Sequence, residues 1–384
     1  MSARPTWAEV NLTALQHNFR TVHDFVRPNA TVCCVVKCDA YGHGAVECSL
    51  ALQREGATWF GVTSVEEAVK LRRAGVSGRI LVMTGFWRGE EDEVLAQELT
   101  PAIWSWEHLE ALENAAVRQK QNGRKIPVHL KLDTGMARLG LPLAELDSFA
   151  DALREAEHVV LDGVFSHLAS SEVLDAPDAV QQIARFDAAV EELRAKGFSP
   201  QFIHMANSAA VVGRPGVWHN MVRPGLLLYG DCLPTTSIMT GAPEASMELP
   251  LVPVMSWKTR IIALRDVPAG QAIGYSGAFV TSVPSRIAVI PVGYGDGYSR
   301  HLSSRGRVLV RGDYASIVGN VSMDLTTIDV TGMPGVSIGD EVVLMGSQGE
   351  KKISVWEHAQ HAMTIPYEVL CGLSPRVPRM YVEE

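Results

Sequence analysis

The 384-residue sequence contains nothing near the run of about 18 consecutive apolar residues that a membrane-spanning helix requires. It has no CxxC pair. Its six cysteines (Cys33, Cys34, Cys38, Cys48, Cys232 and Cys371) form no even framework, and three of them lie in or just after one apolar strand. Reduced thiols in a cytoplasm are the expectation. There is no excess of positive charge either. With 34 Lys+Arg against 43 Asp+Glu, a formal charge of −9, neither nucleic acid nor an anionic membrane is expected as a partner. The opening Met-Ser-Ala-Arg-Pro reads as no secretory signal, and no internal repeat or low-complexity tract occurs. At 47% hydrophobic and 20% charged residues, disorder is excluded. A cytoplasmic globular enzyme of two or three domains is expected.

The first two-thirds alternate short apolar runs with longer amphipathic ones. Eight strand candidates begin near Thr31, Thr58, Arg79, Leu99, Ile126, Val159, Gln201 and His219. Between them lie patterns such as SVEEAVKLRRAG and DAVQQIARFDAAVEELRAKG, apolar at three- and four-residue steps and ended by Gly. Alternation of this kind means parallel strands with helical crossovers. Eight strands, with no GxGxxG after the first, predict an α/β fold of the (β/α)8 TIM-type barrel class over residues 11–240. Segment 237–250 reads as a linker. Beyond it, β-branched runs punctuated by glycine predict a C-terminal all-β domain over 241–384, joined by a strand within 1–10.

A barrel carries its chemistry at the C-terminal ends of its strands. Those ends hold Lys37 and Tyr41, then Lys131, Asp133 and Arg138, then His167, then His204 with Asn207 and Ser208, then Arg223 with Gly225. Lys37 leaves an apolar strand, so its amine is partly desolvated and suited to a Schiff base. Gly42 and Gly44 would allow a ligand to approach the backbone closely. HMANSAA and RPGLLLYG fall where barrels commonly build a phosphate site, with Ser208 and a helix starting near Ala209 as donors. The simpler reading of Asn207 and Ser208 is a helix cap. A Schiff-base lysine with a phosphate site suggests pyridoxal phosphate, or a sugar-phosphate aldolase. His167 and His204 lack a carboxylate or Cys at ligand spacing, so hydrogen bonding is expected of them and no metal site.

The motif VVKCDAYGHG at 35–44 resembles the cofactor-attachment signature of the alanine racemase family. HLKLDTGMARLG, GVFSHLASSE, HMANSAA, VRPGLLLYG, GYSGAF, VGYGDG, GNVSMD and TIPYEVLCGLSPRVPRMY continue the resemblance in order over nearly the whole chain. The resemblance implies interconversion of L-alanine and D-alanine on pyridoxal 5'-phosphate, supplying D-alanine for peptidoglycan, in a homodimer with shared active sites. Lys37 would hold the cofactor and act as the base on D-alanine. Tyr275, from the partner subunit, would act on L-alanine from the opposite face. Arg223 would face the pyridine nitrogen, with His204 supporting it and His167 linking it toward Tyr275. Tyr41, Ser208, Gly225, Leu226 and Tyr367 would gather the phosphate, with Asn207 beside them. Arg138 would approach the phenolic oxygen and the substrate carboxylate, which the Met323 N–H would also bind. Tyr294 matches a residue at the entry path, and Lys131 one that is often carbamylated.

The chemistry agrees with these roles. An arginine keeps its proton and accepts no hydrogen bond, so the ring nitrogen opposite Arg223 stays unprotonated, which favours racemisation over side reactions. Cys38, Asp39, Asn320 and Pro366 depart from the family pattern without removing a catalytic group. A broad-specificity or serine racemase is the nearest alternative, with a pyridoxal-dependent decarboxylase behind it. A non-enzymatic pyridoxal phosphate carrier would leave residues 250–384 without a purpose.

Overall fold

The computed structural model describes residues 4–120, 123–239 and 249–383, so most of the expected linker 237–250 lies outside the described residues. The chain divides into two compact units. One comprises Leu15–Ala40 and Ala45–Val252; the other comprises the chain up to Ala14, Tyr41–Gly44, and everything from Pro253.

Strand β1 (Thr6–Asn11) belongs to the second of these. The first is the barrel, and each of the eight apolar runs supplies a strand. They are β2 (Thr31–Val35), β3 (Trp59–Val62), β4 (Arg79–Val82), β5 (Thr100–Ile103) and β6 (Ile126–Asp133). After the two-residue β7 (Leu141–Pro142) beside β6 come β8 (Val159–Phe165), β9 (Phe202–His204) and β10 (Met221–Val222). All pair in parallel in the order β10-β2-β3-β4-β5-β6-β8-β9. Between β9 and β10 the ring is drawn together by single bonds: Asn220 N–H donates to Ile203 O at 3.3 Å and Arg223 N–H to Ala206 O at 2.9 Å. Cys33, Trp59, Leu81, Phe202 and Met221 pack as one buried cluster with Met83 against it.

The crossover helices follow their sequence signals. Val65–Arg73 starts where the Ser64 hydroxyl accepts the Glu67 N–H at 3.1 Å, with acidic residues in its first turn and basic ones in its last. Pro177–Ala195 begins on proline and buries Ala179, Gln182, Phe186, Ala189, Val190 and Leu193, a three- and four-residue stripe.

The second unit is a sheet built from β11 (Met255–Arg260), β12 (Ala263–Val267), β15 (Ser285–Ile290), β16 (Arg307–Val310), β17 (Asp313–Ile317), β18 (Thr326–Asp329), β19 (Glu341–Gln348) and β21 (Arg379–Val382). Its order is β12-β15-β18-β17-β16-β19-β11-β1-β21, with β20 (Lys351–Ile353) on β19. Strand β1 therefore does pair with the C-terminal strands, antiparallel to β11 and parallel to β21. A separate hairpin joins β13 (Ala272–Ile273) to β14 (Phe279–Val280). Two short helices, Val355–Ala362 and Pro366–Cys371, lie between β20 and β21.

Candidate active site

The barrel rim gathers the cations. Strand β2 ends at Val35, and Lys37 opens a short turn, half-buried rather than standing on the strand itself. Cys38, Asp39, Ala40 and Tyr41 all have φ between 52° and 54°, a left-handed turn of four non-glycine residues. Each such residue costs about 1–2 kcal/mol, and side-chain anchors hold the turn in place. Glu67 accepts the Cys38 N–H at 2.6 Å, and Asp39 accepts the Ala45 N–H at 3.0 Å and Lys70 Nζ at 3.1 Å. Gly42 and Gly44 have a different reason from the one read in the sequence. A Cβ on Gly42 would lie 2.2 Å from Leu370 O, and one on Gly44 1.9 Å from the Tyr381 hydroxyl, so the close approach is by this chain and not by a ligand.

Arg223, just past β10, is buried and held on several sides. Nη1 donates to His204 Nδ1 at 2.6 Å; Nη2 donates to Ser166 O at 2.9 Å, to Met205 O at 3.3 Å and to His167 Nδ1 at 3.4 Å. The two histidines are thus hydrogen-bond partners of an arginine. Burial lowers the guanidinium to about 10, and it remains a cation at neutral pH. Burial, then Arg223, Arg138, Lys131 and Lys37, pushes His167 down to about 3, so its imidazole is neutral. Because arginine only donates, His167 Nδ1 accepts and its hydrogen sits on Nε2.

Lys131 ends deep in β6, 5.5 Å from the centre of the Phe165 ring. Burial, then Arg223, Arg138 and Lys37, lowers its ammonium to about 8. Exposed Arg138 rides on a loop organised by Asp133, whose Oδ1 accepts the N–H groups of Gly135, Met136 and Ala137 at 3.0, 3.1 and 3.1 Å. Gly140 closes that loop, since a Cβ there would lie 2.5 Å from Asp133 N.

In the HMANSAA stretch, the helix-cap reading holds for Asn207, and Ser208 has a different role. Asn207 is the cap of helix Ser208–Gly213, accepting the Ala210 N–H at 3.1 Å, while its amide donates to Ser171 Oγ at 2.8 Å. Ser208 is buried, and its Oγ accepts the N–H of Gly225 at 2.9 Å. With the oxygen used in accepting, the hydroxyl hydrogen remains to donate to an anion. Leu226 begins the following short helix and is fully buried.

In the second unit, the residues singled out lie on loops. Tyr275 sits in the turn between β13 and β14 and is 72% exposed; Asn320 Nδ2 donates to its carbonyl at 2.9 Å. Tyr294 and Met323 are brought together by backbone bonds, Tyr294 N–H to Ser322 O at 3.0 Å and Gly295 N–H to Met323 O at 2.9 Å. Gly293 makes this possible, because a Cβ there would lie 2.2 Å from Ser322 O. The rings of Tyr41 and Tyr367 meet at 5.8 Å.

Three residues at the barrel centre escaped the sequence reading. His129 Nδ1 lies 2.8 Å from His204 Nε2, and its Nε2 faces Asp162 Oδ2 at 3.4 Å. Asp162 in turn pairs with Arg79 at 2.8 Å. The available signal was a polar residue within each of two apolar strand runs, His129 beside Lys131 in IPVHLKL and Asp162 in VVLDGVF. Among the described residues, no helix is long and apolar enough to cross a membrane.

Comparison with known proteins agrees over the full chain. The family model for the alanine racemase N-terminal domain matches residues 10–232, and that for the alanine racemase C-terminal domain matches 254–381. An alanine racemase of Geobacter sulfurreducens is 42% identical over 386 residues, covering 100% of this chain and 98% of that protein. One of Syntrophobacter fumaroxidans is 42% identical, covering 96% and 95%. Among solved structures, the alanine racemase of D-cycloserine-producing Streptomyces lavendulae superposes with a TM-score of 0.90 at 32% identity, covering 100% of this chain and 98% of that one. The biosynthetic alanine racemase of Pseudomonas aeruginosa gives 0.86 at 34%, covering 99% and 100%. The buried arginine clasped by two histidines at the mouth of a parallel barrel thus belongs to a member of the alanine racemase family.

Proposed function

We propose that this protein interconverts L-alanine and D-alanine, using pyridoxal 5'-phosphate held at the barrel mouth and two proton carriers, Lys37 and Tyr275. The observation that carries the reading is the gathering of four basic side chains, Lys37, Lys131, Arg138 and Arg223, at one rim. Lys131 falls to about 8 because burial is joined by three neighbouring cations, Arg223, Arg138 and Lys37. Such a rim suits an anionic phosphate and a substrate carboxylate. The donor set also fits the cofactor: a half-buried amine at Lys37, a hydroxyl hydrogen at Ser208, and a fixed arginine at Arg223.

When bound, the cofactor supplies the electron sink that lets an amino acid give up its Cα proton. The chain's own residues do the rest. Ser208, Gly225, Leu226, Tyr41 and Tyr367 hold the phosphate, with Asn207 capping the helix beneath Ser208. Arg223, incapable of accepting a hydrogen bond, keeps the ring nitrogen unprotonated. Lys37 Nζ and Tyr275 Oη each move one proton at Cα, from opposite faces. A tyrosine titrates near 10, so acting as a base near neutrality asks for about three units, roughly 4 kcal/mol. One cation at about 4 Å in a medium of dielectric about 20 supplies that amount. Arg223, standing one imidazole away behind the neutral His167, supplies about half of it, and the His167 Nε2–H adds a hydrogen bond to the phenolate.

An exposed phenol has no such environment alone, so Tyr275 works in a homodimer, each copy completing the other's site. Arg138 and the Met323 N–H bind the carboxylate, and Tyr294 lines the entry path. Lys131 is carbamylated: its amine adds to carbon dioxide with loss of a proton, giving an anion that holds Arg138. The reaction is cytoplasmic, and its D-alanine supplies peptidoglycan. The barrel carries the cofactor, and the C-terminal unit lends the second base.

The test is to incubate purified protein with L-alanine, L-serine and L-lysine, following optical rotation and carbon dioxide release. Racemisation of alanine ahead of serine is expected, since a methylene is worth about 1–3 kcal/mol in such a pocket. Carbon dioxide without D-product overturns the reading.

A further inference from the structure

The polar chain behind Arg223 has one direction only. Arginine donates and cannot accept, so His204 Nδ1, 2.6 Å from Nη1, is an acceptor, and the neutral ring carries its hydrogen on Nε2. That hydrogen meets His129 Nδ1 at 2.8 Å, which must accept in turn. His129 therefore carries its own hydrogen on Nε2. This atom is buried and makes no hydrogen bond of standard geometry among the described residues; what it faces is Asp162 Oδ2, 3.4 Å away. Burial raises the Asp162 carboxyl, but its contacts with His129 and Arg79 outweigh this and keep it below its usual range, hence ionised. Every hydrogen points from cation to carboxylate.

The fold makes room for this chain at some expense. Gly163, next to Asp162 on β8, faces the His129 ring so closely that a Cβ would lie 2.7 Å from three of its atoms. Arg79 is held in place at the far end, 4.1 Å over the Trp59 ring and 3.3 Å from Thr100 Oγ1. Apolar residues of similar volume could fill this layer at no cost in buried polar groups, since replacing buried ionic networks is often neutral or stabilising. What an apolar layer could not do is accept the His204 Nε2–H and so hold that ring against Arg223.

We infer that His129 and Asp162 are positioning residues for the racemase reaction: the carboxylate orients the His129 ring, whose Nδ1 accepts the His204 Nε2–H and so holds that imidazole, and with it the guanidinium of Arg223, in place at the barrel mouth. The inference rests on Arg223 facing the cofactor's ring nitrogen, as in the reading above. A buried aspartate that orients a histidine plays the same part in hydrolytic triads.

Four variants test it in the holoenzyme. His129→Phe keeps a ring and removes the acceptor; Gly163→Ala displaces the ring with nothing removed. His129→Asn restores an acceptor near the Nδ1 position, and Asp162→Asn keeps the shape without the charge. In protein labelled with 15N-histidine, a hydrogen-bonded His204 Nε2–H is expected in the wild type and in His129→Asn, and its proton resonance moves upfield in His129→Phe, where the acceptor is gone. The kcat for alanine is expected to fall about 10- to 100-fold in His129→Phe and Gly163→Ala with KM little changed, the scale on which outer partners of functional histidines act. Asp162→Asn falls between, and His129→Asn recovers most of the loss. The absorption spectrum of the bound cofactor should shift in His129→Phe and return in His129→Asn. Wild-type kcat, His204 N–H resonance and spectrum in His129→Phe overturn the inference. So does an equal loss in His129→Phe and His129→Asn that tracks their melting temperatures. A wild-type protein that does not racemise alanine instead defeats the functional reading, while the His204 N–H resonance still reports on the chain.

Discussion

The two units carry their chemical groups in opposite ways. In the barrel the groups are buried and already perturbed: Arg223 at about 10, Lys131 at about 8, His167 at about 3, each with burial as the leading cause. In the C-terminal unit the corresponding groups are exposed, Tyr275 at 72%, Met323 at 53% and Tyr294 at 44%. Their loops are fixed by backbone bonds, but their side chains have no enclosing environment on their own unit. A parallel barrel brings eight strand ends together and so creates a low-dielectric rim from one chain. A β unit with loop-borne residues can place a group accurately without tuning it. Tuning then has to come from whatever covers the loop, which is why the functional reading calls for a second copy.

The sharpest way to break this contrast is at Lys37. Lys37→Ala should abolish covalent retention of the cofactor and lower alanine racemisation on the order of a thousandfold or more, the scale of losing a nucleophile that acts in a unit. A variant that remains yellow and active would remove the barrel's claim to the chemistry. Next come Arg223→Ala and Tyr275→Phe as a pair. Both should cost activity, Tyr275→Phe by about a hundredfold or more in kcat as a lost acid–base group. Only the first should cost stability. It orphans His204 Nδ1 and the carbonyls of Ser166 and Met205, each unsatisfied group worth about 1–3 kcal/mol. Tyr275→Phe, at an exposed site, should stay within about 0.5 kcal/mol by chemical denaturation.

Gly42→Ala probes the C-terminal unit's own packing. With φ at +80° and a Cβ 2.2 Å from Leu370 O, it should destabilise by about 1–3 kcal/mol in thermal melts. A pH slope gives a further check. Folding lowers Lys131 from its usual 10.5 to about 8, through burial and then its cationic neighbours. Between those values the unfolded chain binds more protons than the folded one, so stability rises with pH across that window. Denaturation in carbonate-free buffer should show the rise, and Lys131→Met should flatten it.

Much of the fold was legible because its signals are local. All eight barrel strands stand where short apolar runs alternate with amphipathic ones. The helices Val65–Arg73 and Pro177–Ala195 stand where apolar residues recur at three- and four-residue steps. The rim was legible too, since strand ends in a barrel converge whatever their spacing in sequence. Less legible were features that depend on distant neighbours. Gly42 and Gly44 looked like room for a ligand, and the space is taken by Leu370 and Tyr381, over 300 residues away in the chain. The left-handed turn at Cys38–Tyr41 gave no compositional sign, because only one of its residues, Asp39, is of a type that favours that conformation. His129 and Asp162 appeared as stray polar residues because a strand pattern shows which face a side chain takes but not what waits opposite.

The residue order by itself determined the strand and helix sequence, the class of each half, and which amino acids stand at the barrel rim. Those outcomes follow from periodicity and chain connectivity, which act over a few residues. Tertiary structure alone decided that Arg223 is clasped by His167 and His204, that a one-way chain runs back to Asp162, and that Tyr275 stands exposed on its hairpin. Hydrogen-bond direction and desolvation depend on which atoms meet within about 3 Å, and no spacing along the chain encodes that.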